Sequence, residues 1–500
     1  MDSSKIKALI IVVLALCFAL YLGITAATAQ MEALIWVAGG LFLTTCFLLG
    51  RHIWILIPAT LGMRGGINFL PGAIEPWHLA TAVVGVLFLI RIATRQQRIA
   101  FKWSSLDTAV FLIAITILQA FVRNPTGLMV FGGDTAGGRA YLVFMVAIAA
   151  FVLIGMADAD IKSFRWAVLL HVGFTAIDGI VSMVSGLIPA FATAVLPYYS
   201  NVSIDATATL QYSGNVEDSR ITQFGQLGSL LGLVACSFWR PAAALDIRKP
   251  WRAVTALASV AAVLLSGFRG TAGSLFVRFV VGSLVRRKPL DVLIVSLLGF
   301  LAAMAIIAVV PVNDLPYSLQ RVLSMVPGVT VREEISREAQ DSVDLRVRMW
   351  EEALLTDRYI DNKMLGDGFG MRQADAALMS LWATGDKHIR ETVHVEEILM
   401  ANGAYHGFHA EVIRFTGAVG LLAATVAMFV FLVFAKRSIN AYRDHPYWGY
   451  VIFICLPFLI MPFWYWLVYG DYRQMFPPAL ATAGMLKLLW AIKRKEQSLA

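Results

Sequence analysis

Apolar stretches of roughly 17–25 residues recur along this 500-residue chain, the length a bilayer's hydrocarbon core demands of a crossing helix. Inside that core every backbone N–H and C=O must be bonded within its own segment, so such stretches are helices or they are nothing. The expectation is an all-α polytopic membrane protein. Hydrophobic residues make up 58% of the chain, charged residues only 15%, and the mean hydropathy is +0.71, which excludes an ordinary soluble domain. Candidate spans fall at about 6–27, 31–49, 52–64, 77–94, 105–122, 138–157, 162–188, 221–239, 250–266, 270–286, 289–311, 409–436, 446–468 and 474–492. That is about 12–14 transmembrane helices, the third being short for a crossing. The first has a basic start and an Ala-Thr-Ala close at Ala29; its apolar run is longer than a signal core, so a retained helix is expected. Cys17, Cys46, Cys236 and Cys455 all fall in apolar runs and read as small buried hydrophobes.

The short connections carry the orientation. Basic residues collect at Arg95/Arg98/Lys102, Arg240/Arg248/Lys249/Arg252, Arg286/Arg287/Lys288, Lys436/Arg437/Arg443 and Lys493/Arg494/Lys495. Counted from a cytoplasmic N-terminus, every cluster falls on the cytoplasmic side. The net charge of +8 is thus a topology signal rather than a nucleic-acid footprint. The count divides the chain into helices 1–11 over residues 1–311, a large outer loop over 312–408, and three last helices with a cytoplasmic tail over 409–500. A second outer loop covers 189–220, and short outer turns surround Arg269 and Gly470-Asp471-Tyr472.

The loop 312–408 holds 16 of the 33 acidic and 10 of the 41 basic residues, and it ends in Ala404-Tyr405-His406-Gly407-Phe408-His409. A polar loop of this size beside a membrane, closed by two histidines, points to chemistry at the surface. Three arginines share that outer side. Arg220 closes the loop 189–220, Arg269 sits in the turn Ser266-Gly267-Phe268-Arg269-Gly270, and Arg346 lies four residues before Trp350 and eight before Leu354 on one helical stripe. Arg348 points elsewhere and has Glu352 four residues on, an expected surface ion pair. Guanidinium forks bind phosphate bidentately, so the set suggests a phosphate or pyrophosphate near the headgroups; anchoring to anionic lipid, or pairing with loop carboxylates, is the competing reading. His406 and His409 begin a span, where the helix dipole favours the neutral ring that a general base needs. Interfacial packing would also place them there, whereas a metal half-site lacks a third ligand at a firm spacing.

Arg278 and Asp178 sit at membrane depth and could pair across helices, or Arg278 could line a lipid groove. Glu411 and Arg414, three apart, could pair on one face. Trp464, Tyr465, Trp466 and Tyr469 suit an aromatic belt. Gly132-Gly133-Asp134-Thr135-Ala136-Gly137-Gly138 lacks the Lys-Ser/Thr of a phosphate loop and reads as an outer turn.

Four motifs in order resemble those of the O-antigen ligase and polymerase superfamily, membrane glycosyltransferases acting on polyprenyl-diphosphate-linked glycans. They are Ser266-x-x-Arg269-Gly270, then Arg346-x-x-x-Trp350-x-x-Ala353-Leu354, then Gly366-x-Gly368-x-Gly370, and His406 eleven residues before Gly417-x-x-Gly420. The likeness covers residues from about 220 to 422. One departure is Gly407, where that family usually has Asn. The resemblance implies a metal-independent, inverting transfer on the periplasmic face of a bacterial inner membrane, with no cofactor. The donor would be an undecaprenyl-diphosphate glycan, and the acceptor lipid A-core for a ligase or another lipid-linked glycan for a polymerase. Arg220, Arg269 and Arg346 would hold the diphosphate, and His406 would position or deprotonate the acceptor hydroxyl. His409, Trp350, Gly366, Gly368 and Arg278 are secondary candidates. A transporter would also carry this many spans, but no repeat relates the two halves and the polar groups lie outside the membrane rather than at its centre.

Overall fold

The computed structural model describes residues 40, 49–68, 70, 74–96, 102–126, 137–201, 224–246, 248–324, 328–383, 395–468 and 470–499. The first two expected spans, Arg220, most of the 189–220 loop and residues 132–136 lie outside them. The chain divides into two units, Met1–Ile53 and Trp54–Ala500. The larger one is built of helices, in chain order α1 (Leu56–Thr60), α2 (Pro76–Ala93), α3 (Ser105–Arg123), α4 (Gly138–Gly155), α5 (Ile161–Leu187), α6 (Pro189–Val195), α7 (Phe224–Phe238), α8 (Pro250–Leu265), α9 (Arg269–Val285) and α10 (Pro289–Val309). The polar segment supplies α11 (Tyr317–Leu323), α12 (Glu333–Leu355), α13 (Gln373–Ala383) and α14 (Val395–Ala401). The chain closes with α15 (Phe408–Ala441), α16 (Trp448–Leu467) and α17 (Tyr472–Leu499).

Among the described residues, seven helices are long and apolar enough to cross a membrane: α2, α3, α4, α5, α15, α16 and α17. Apolar α7, α8 and α10 lie between α5 and the polar segment. This is a helical, multi-pass membrane architecture. The expected third span at 52–64 is corrected. A 3-10 turn over Gly50–Ile55 and five-residue α1 stand in its place, and residues 50–60 reach only about 20 Å, short of the roughly 30 Å needed. A side chain at Gly62 would meet the His171 carbonyl of α5 at 2.8 Å, and one at Gly65 would meet the Tyr199 ring at 2.3 Å. The chain therefore turns back there at close quarters instead of continuing as helix.

Local chemistry sets the helix starts. Ser104 and Asp107 form a reciprocal cap on α3, with the Ser104 N–H donating to Asp107 at 2.8 Å, and Asp160 accepts from the Ser163 N–H at 2.8 Å to begin α5. Pro76 opens α2 behind Glu75. The densest packing joins α17 to α4, α7 to α8 and α15 to α16, with α15 against α3 next. Gly484 lets α17 approach Phe151 of α4 so closely that an added methyl would lie 2.9 Å from a backbone carbonyl, the small-residue contact that brings membrane helices together without a hydrophobic drive. Conversely Leu293, Leu297, Phe300 and Leu301 of α10 are exposed, a face suited to lipid.

Side-chain contacts define two ends. At one, Arg240 pairs with Asp291 at 3.1 Å, Lys495 with Asp158 at 2.9 Å, and the Arg165 guanidinium lies over the Tyr447 and Tyr450 rings. These are the turns that carry the basic clusters. At the other, the polar segment seats itself on the bundle: Gln119 donates to the Leu365 carbonyl at 2.8 Å, Arg123 to Gly366 at 3.1 Å and Asn124 to Asp367 at 2.7 Å. The segment 312–408 thus caps the end opposite the basic turns.

Candidate functional site

The cap is fixed through a break in α15. Gly417 has φ 77° and ψ −179°, a conformation open to glycine alone, and it interrupts the helix one turn after Arg414. Such a break would orphan backbone groups, but the loop 363–368 supplies partners. The Asp367 N–H donates to the Arg414 carbonyl at 2.8 Å and the Gly368 N–H to Phe415 at 3.1 Å, while the Ala418 N–H donates to Lys363 at 2.8 Å. Gly366 and Gly368 have φ of 74° and 77°, and a side chain on either would collide with the Gly417 backbone or with Tyr141. Their place in the structure is accounted for by this seam.

Charge and aromatic packing hold the same seam. Buried Arg414 pairs with Asp367 at 3.0 Å and reaches Asp375 at 4.0 Å. Asp367 also accepts the N–H groups of Asp361 and Asn362 at 2.9 and 2.8 Å. Phe369 stacks on Phe415, with ring centres 4.8 Å apart, and meets Tyr141 edge-on. The expected Glu411–Arg414 pair is therefore corrected: Glu411 instead accepts the Tyr472 N–H at 2.8 Å. The expected Asp178–Arg278 pairing is replaced too. Asp178 accepts from Tyr199, from Gln226 and, at 2.9 Å, from Asn201, whereas Arg278 donates to the Ser229 carbonyl at 2.8 Å. Arg348 makes an exposed pair as expected, but with Glu396 at 3.5 Å; Glu352 goes to Arg358 at 2.7 Å.

Above the seam, α12 lies against the start of α15. Met349 and Ala353 of α12 are buried with Tyr359, Ile360, Met400, Tyr405 and Ala410, and Leu345, Trp350 and Leu354 close over them. The Trp350 Nε1–H donates to the Tyr405 carbonyl at 2.9 Å. That bond explains the departure at Gly407: a side chain there would sit 2.4 Å from the Trp350 indole nitrogen, so the indole occupies the room an Asn would need.

His406 stands between buried Tyr405 and buried Gly407, one residue ahead of the N-cap of α15, in the left-handed conformation at φ 51°. Few non-glycine residues adopt it. The ring is half-buried. Burial holds the imidazole below its ordinary pKa and the nearby Arg346 charge pushes it the same way, while Asp471 pulls it back up. Arg346 and Asp471 are thus both close enough to act on His406, and the net downward shift favours its neutral form. His409 is differently placed: Trp350 meets it edge-on with ring centres 4.8 Å apart, and Trp466 lies parallel at 6.2 Å. The two histidines face different neighbours, and among the described residues no three His, Cys, Asp or Glu side chains converge on a metal-sized point.

Arg269 opens α9, which packs on α16; one turn later Gly273 lies against Trp464, so Arg269 belongs to the capped end where Trp466 meets His409. Tyr465 packs on Phe408 at 5.2 Å between ring centres, so Trp464, Tyr465 and Trp466, read as part of an aromatic belt, pack against α9 and the start of α15, while Tyr469 lies outside the described residues. Asp471 went unnoticed in sequence, where it is one acidic residue in a three-residue turn. Arg64 also escaped notice. It is exposed on the turn after α1 and lies near enough to Arg278 and Glu75 to act on both electrostatically.

The fold and site together define a multi-pass helical membrane protein with a capped polar site at the end opposite its basic turns. No protein-family model matches the chain, and no curated protein matches it either.

Proposed function

We propose that the protein is a membrane glycosyltransferase that moves a glycan from undecaprenyl diphosphate to an acceptor hydroxyl, in the manner of an O-antigen ligase acting on lipid A-core. One observation carries this reading: a half-buried His406, set just ahead of a helix start with Arg346 and Asp471 within electrostatic reach, where burial favours the neutral ring. The acceptor O–H gives its proton to His406 as its oxygen attacks the anomeric carbon from the face opposite the diphosphate. The anomeric C–O bond breaks, and the electron pair leaves with the diphosphate, whose growing charge Arg346 and Arg269 offset. Asp471 steadies the imidazolium formed in that step. Arg220 is assigned to the same diphosphate on the strength of the resemblance alone.

The basic turns belong in the cytoplasm by the positive-inside rule, and the capped end opposite them in the periplasm of a bacterial inner membrane. With no crossing at 52–64 the count from a cytoplasmic N-terminus no longer holds, and this orientation rests on the basic turns alone. Spans ahead of α2 bring the crossings to about 12–14. A polymerase of the same superfamily would use the same donor half of the site and differ in acceptor. The test uses purified protein, undecaprenyl-diphosphate-linked glycan and acceptor lipid. His406→Ala should cut transfer by about 10²–10⁴, the usual worth of a general base, with helix content and melting unchanged. Wild-type rates in that variant would sink the proposal. Offering lipid A-core and lipid-linked glycan separately decides between ligase and polymerase.

A further inference from the structure

At the opposite end of the bundle, an open cavity of about 360 Å³ runs along one face of α15, and α3 contributes Ser105 at its end. It is lined by Val426, Phe429, Val430, Val433 and Phe434, and it ends at Ser105 and Arg437. From Val426 to Arg437 the lining climbs α15 for about 16 Å at 1.5 Å per residue, half the thickness of a hydrocarbon core. Its depth is that of a single leaflet. Val426, Phe429 and Val433 are exposed, as is Arg437, and Arg437 has no carboxylate partner among the described residues. At the groove's inner end the Thr425 hydroxyl makes no hydrogen bond.

We infer that this groove holds one anionic phospholipid of the leaflet at the basic end, its acyl chain along the Val426–Phe434 row and its phosphate on Arg437. An apolar channel one leaflet deep, with Arg437 the one cation of its lining at the headgroup end, has the polarity of a phospholipid from end to end. A soluble peptide would leave its backbone unbonded against Phe429 and Val433. The Arg437 guanidinium supplies the headgroup preference, because a juxtamembrane basic residue adds about fivefold in affinity for acidic over neutral lipid. The inference is independent of the proposed transfer chemistry, whose residues lie at the other end.

Native mass spectrometry of the full chain in non-ionic detergent tests it. Phosphatidylglycerol and phosphatidylcholine with identical acyl chains serve as probes. Wild-type protein should retain the anionic lipid about fivefold more than the neutral one. Arg437→Gln should erase that preference while leaving phosphatidylcholine binding unchanged. Val430→Trp, which fills the groove, should lower retention of both. Lys436→Gln, an exposed neighbour outside the lining, should change nothing. Equal retention of both lipids by the wild type overturns the proposal. So does a loss in Lys436→Gln equal to that in Arg437→Gln, or undiminished binding in Val430→Trp.

Discussion

Asp367→Asn removes one charge from the seam and almost nothing from its shape. Arg414 would remain buried, its side chain 3% exposed, with Asp375 at 4.0 Å as its remaining carboxylate. Breaking a buried ion pair from one side costs about 3–5 kcal/mol, chiefly because the surviving charge is uncompensated. Asp375 already accepts two bonds from Arg372, at 2.7 and 2.9 Å, so it offsets only part of that loss. A cost of about 3 kcal/mol corresponds to a shift of roughly 100-fold in the docking equilibrium of the loop. Hydrogen exchange reads that equilibrium directly, since the Asp367 and Gly368 amides are protected only while bonded to Arg414 and Phe415. Peptides covering 363–369 should exchange about 100-fold faster in Asp367→Asn, while peptides of α17 stay unchanged. Adding Arg414→Met, which removes the stranded charge, should recover most of the protection. Exchange within threefold of wild type in the single variant, or no recovery in the double, would show that the ion pair does not hold the loop.

Three further outcomes follow from the site. Transfer needs neutral His406, so activity falls as pH drops through its depressed pKa, and the acid limb lies below the ordinary imidazole value. Arg346→Gln removes a depressing charge and should move that limb to higher pH, whereas Asp471→Asn should move it lower; shifts of the same sign would contradict the arrangement. Gly407→Ala places a methyl against the Trp350 indole, and clashes of this kind cost about 1–3 kcal/mol, so it should lower both melting temperature and transfer. Pairing it with Trp350→Phe should restore the melting temperature. Arg348→Ala breaks only an exposed pair and should leave transfer within about twofold of wild type, a result read from the same assay.

Much of the bundle was legible because apolar length has a single meaning in a bilayer. The predicted spans from 77–94 to 289–311, and those after the polar segment, coincide with helices α2 to α5, α7 to α10 and α15 to α17 to within a few residues at most ends. Polar pairing was read less well, and for a consistent reason. Helical spacing nominated Glu411 for Arg414 and Glu352 for Arg348, yet each arginine found its partner on another element. Spacing along a helix identifies neighbours, but it says nothing of which neighbour a distant loop outbids. The break at Gly417 was hidden likewise, since the apolar pattern runs through it while the bonds that permit it come from residues 363–368. At the site, the motifs pointed to His406, Arg346 and Trp350, whereas Asp471 carries its information only in space. The same holds for Gly407, whose substitution for Asn makes sense once the Trp350 indole is seen filling the space beside it.

The stitched break in α15 also fixes which parts of this chain can be exchanged. Residues 408–416 finish their bonding on carbonyl acceptors given to the 363–368 loop, and that loop leans in turn on Gln119, Arg123 and Asn124 of α3. A chimera that swaps the polar segment at the membrane boundary would cut through this three-way joint. It would leave a broken helix with no patch and a loop with no seat. The transferable cassette is instead residues 333–420, which keep α12 with the Tyr405 core it packs on, together with the last turn of α3, and a graft respecting those limits should insert and fold where one cut at residue 408 does not.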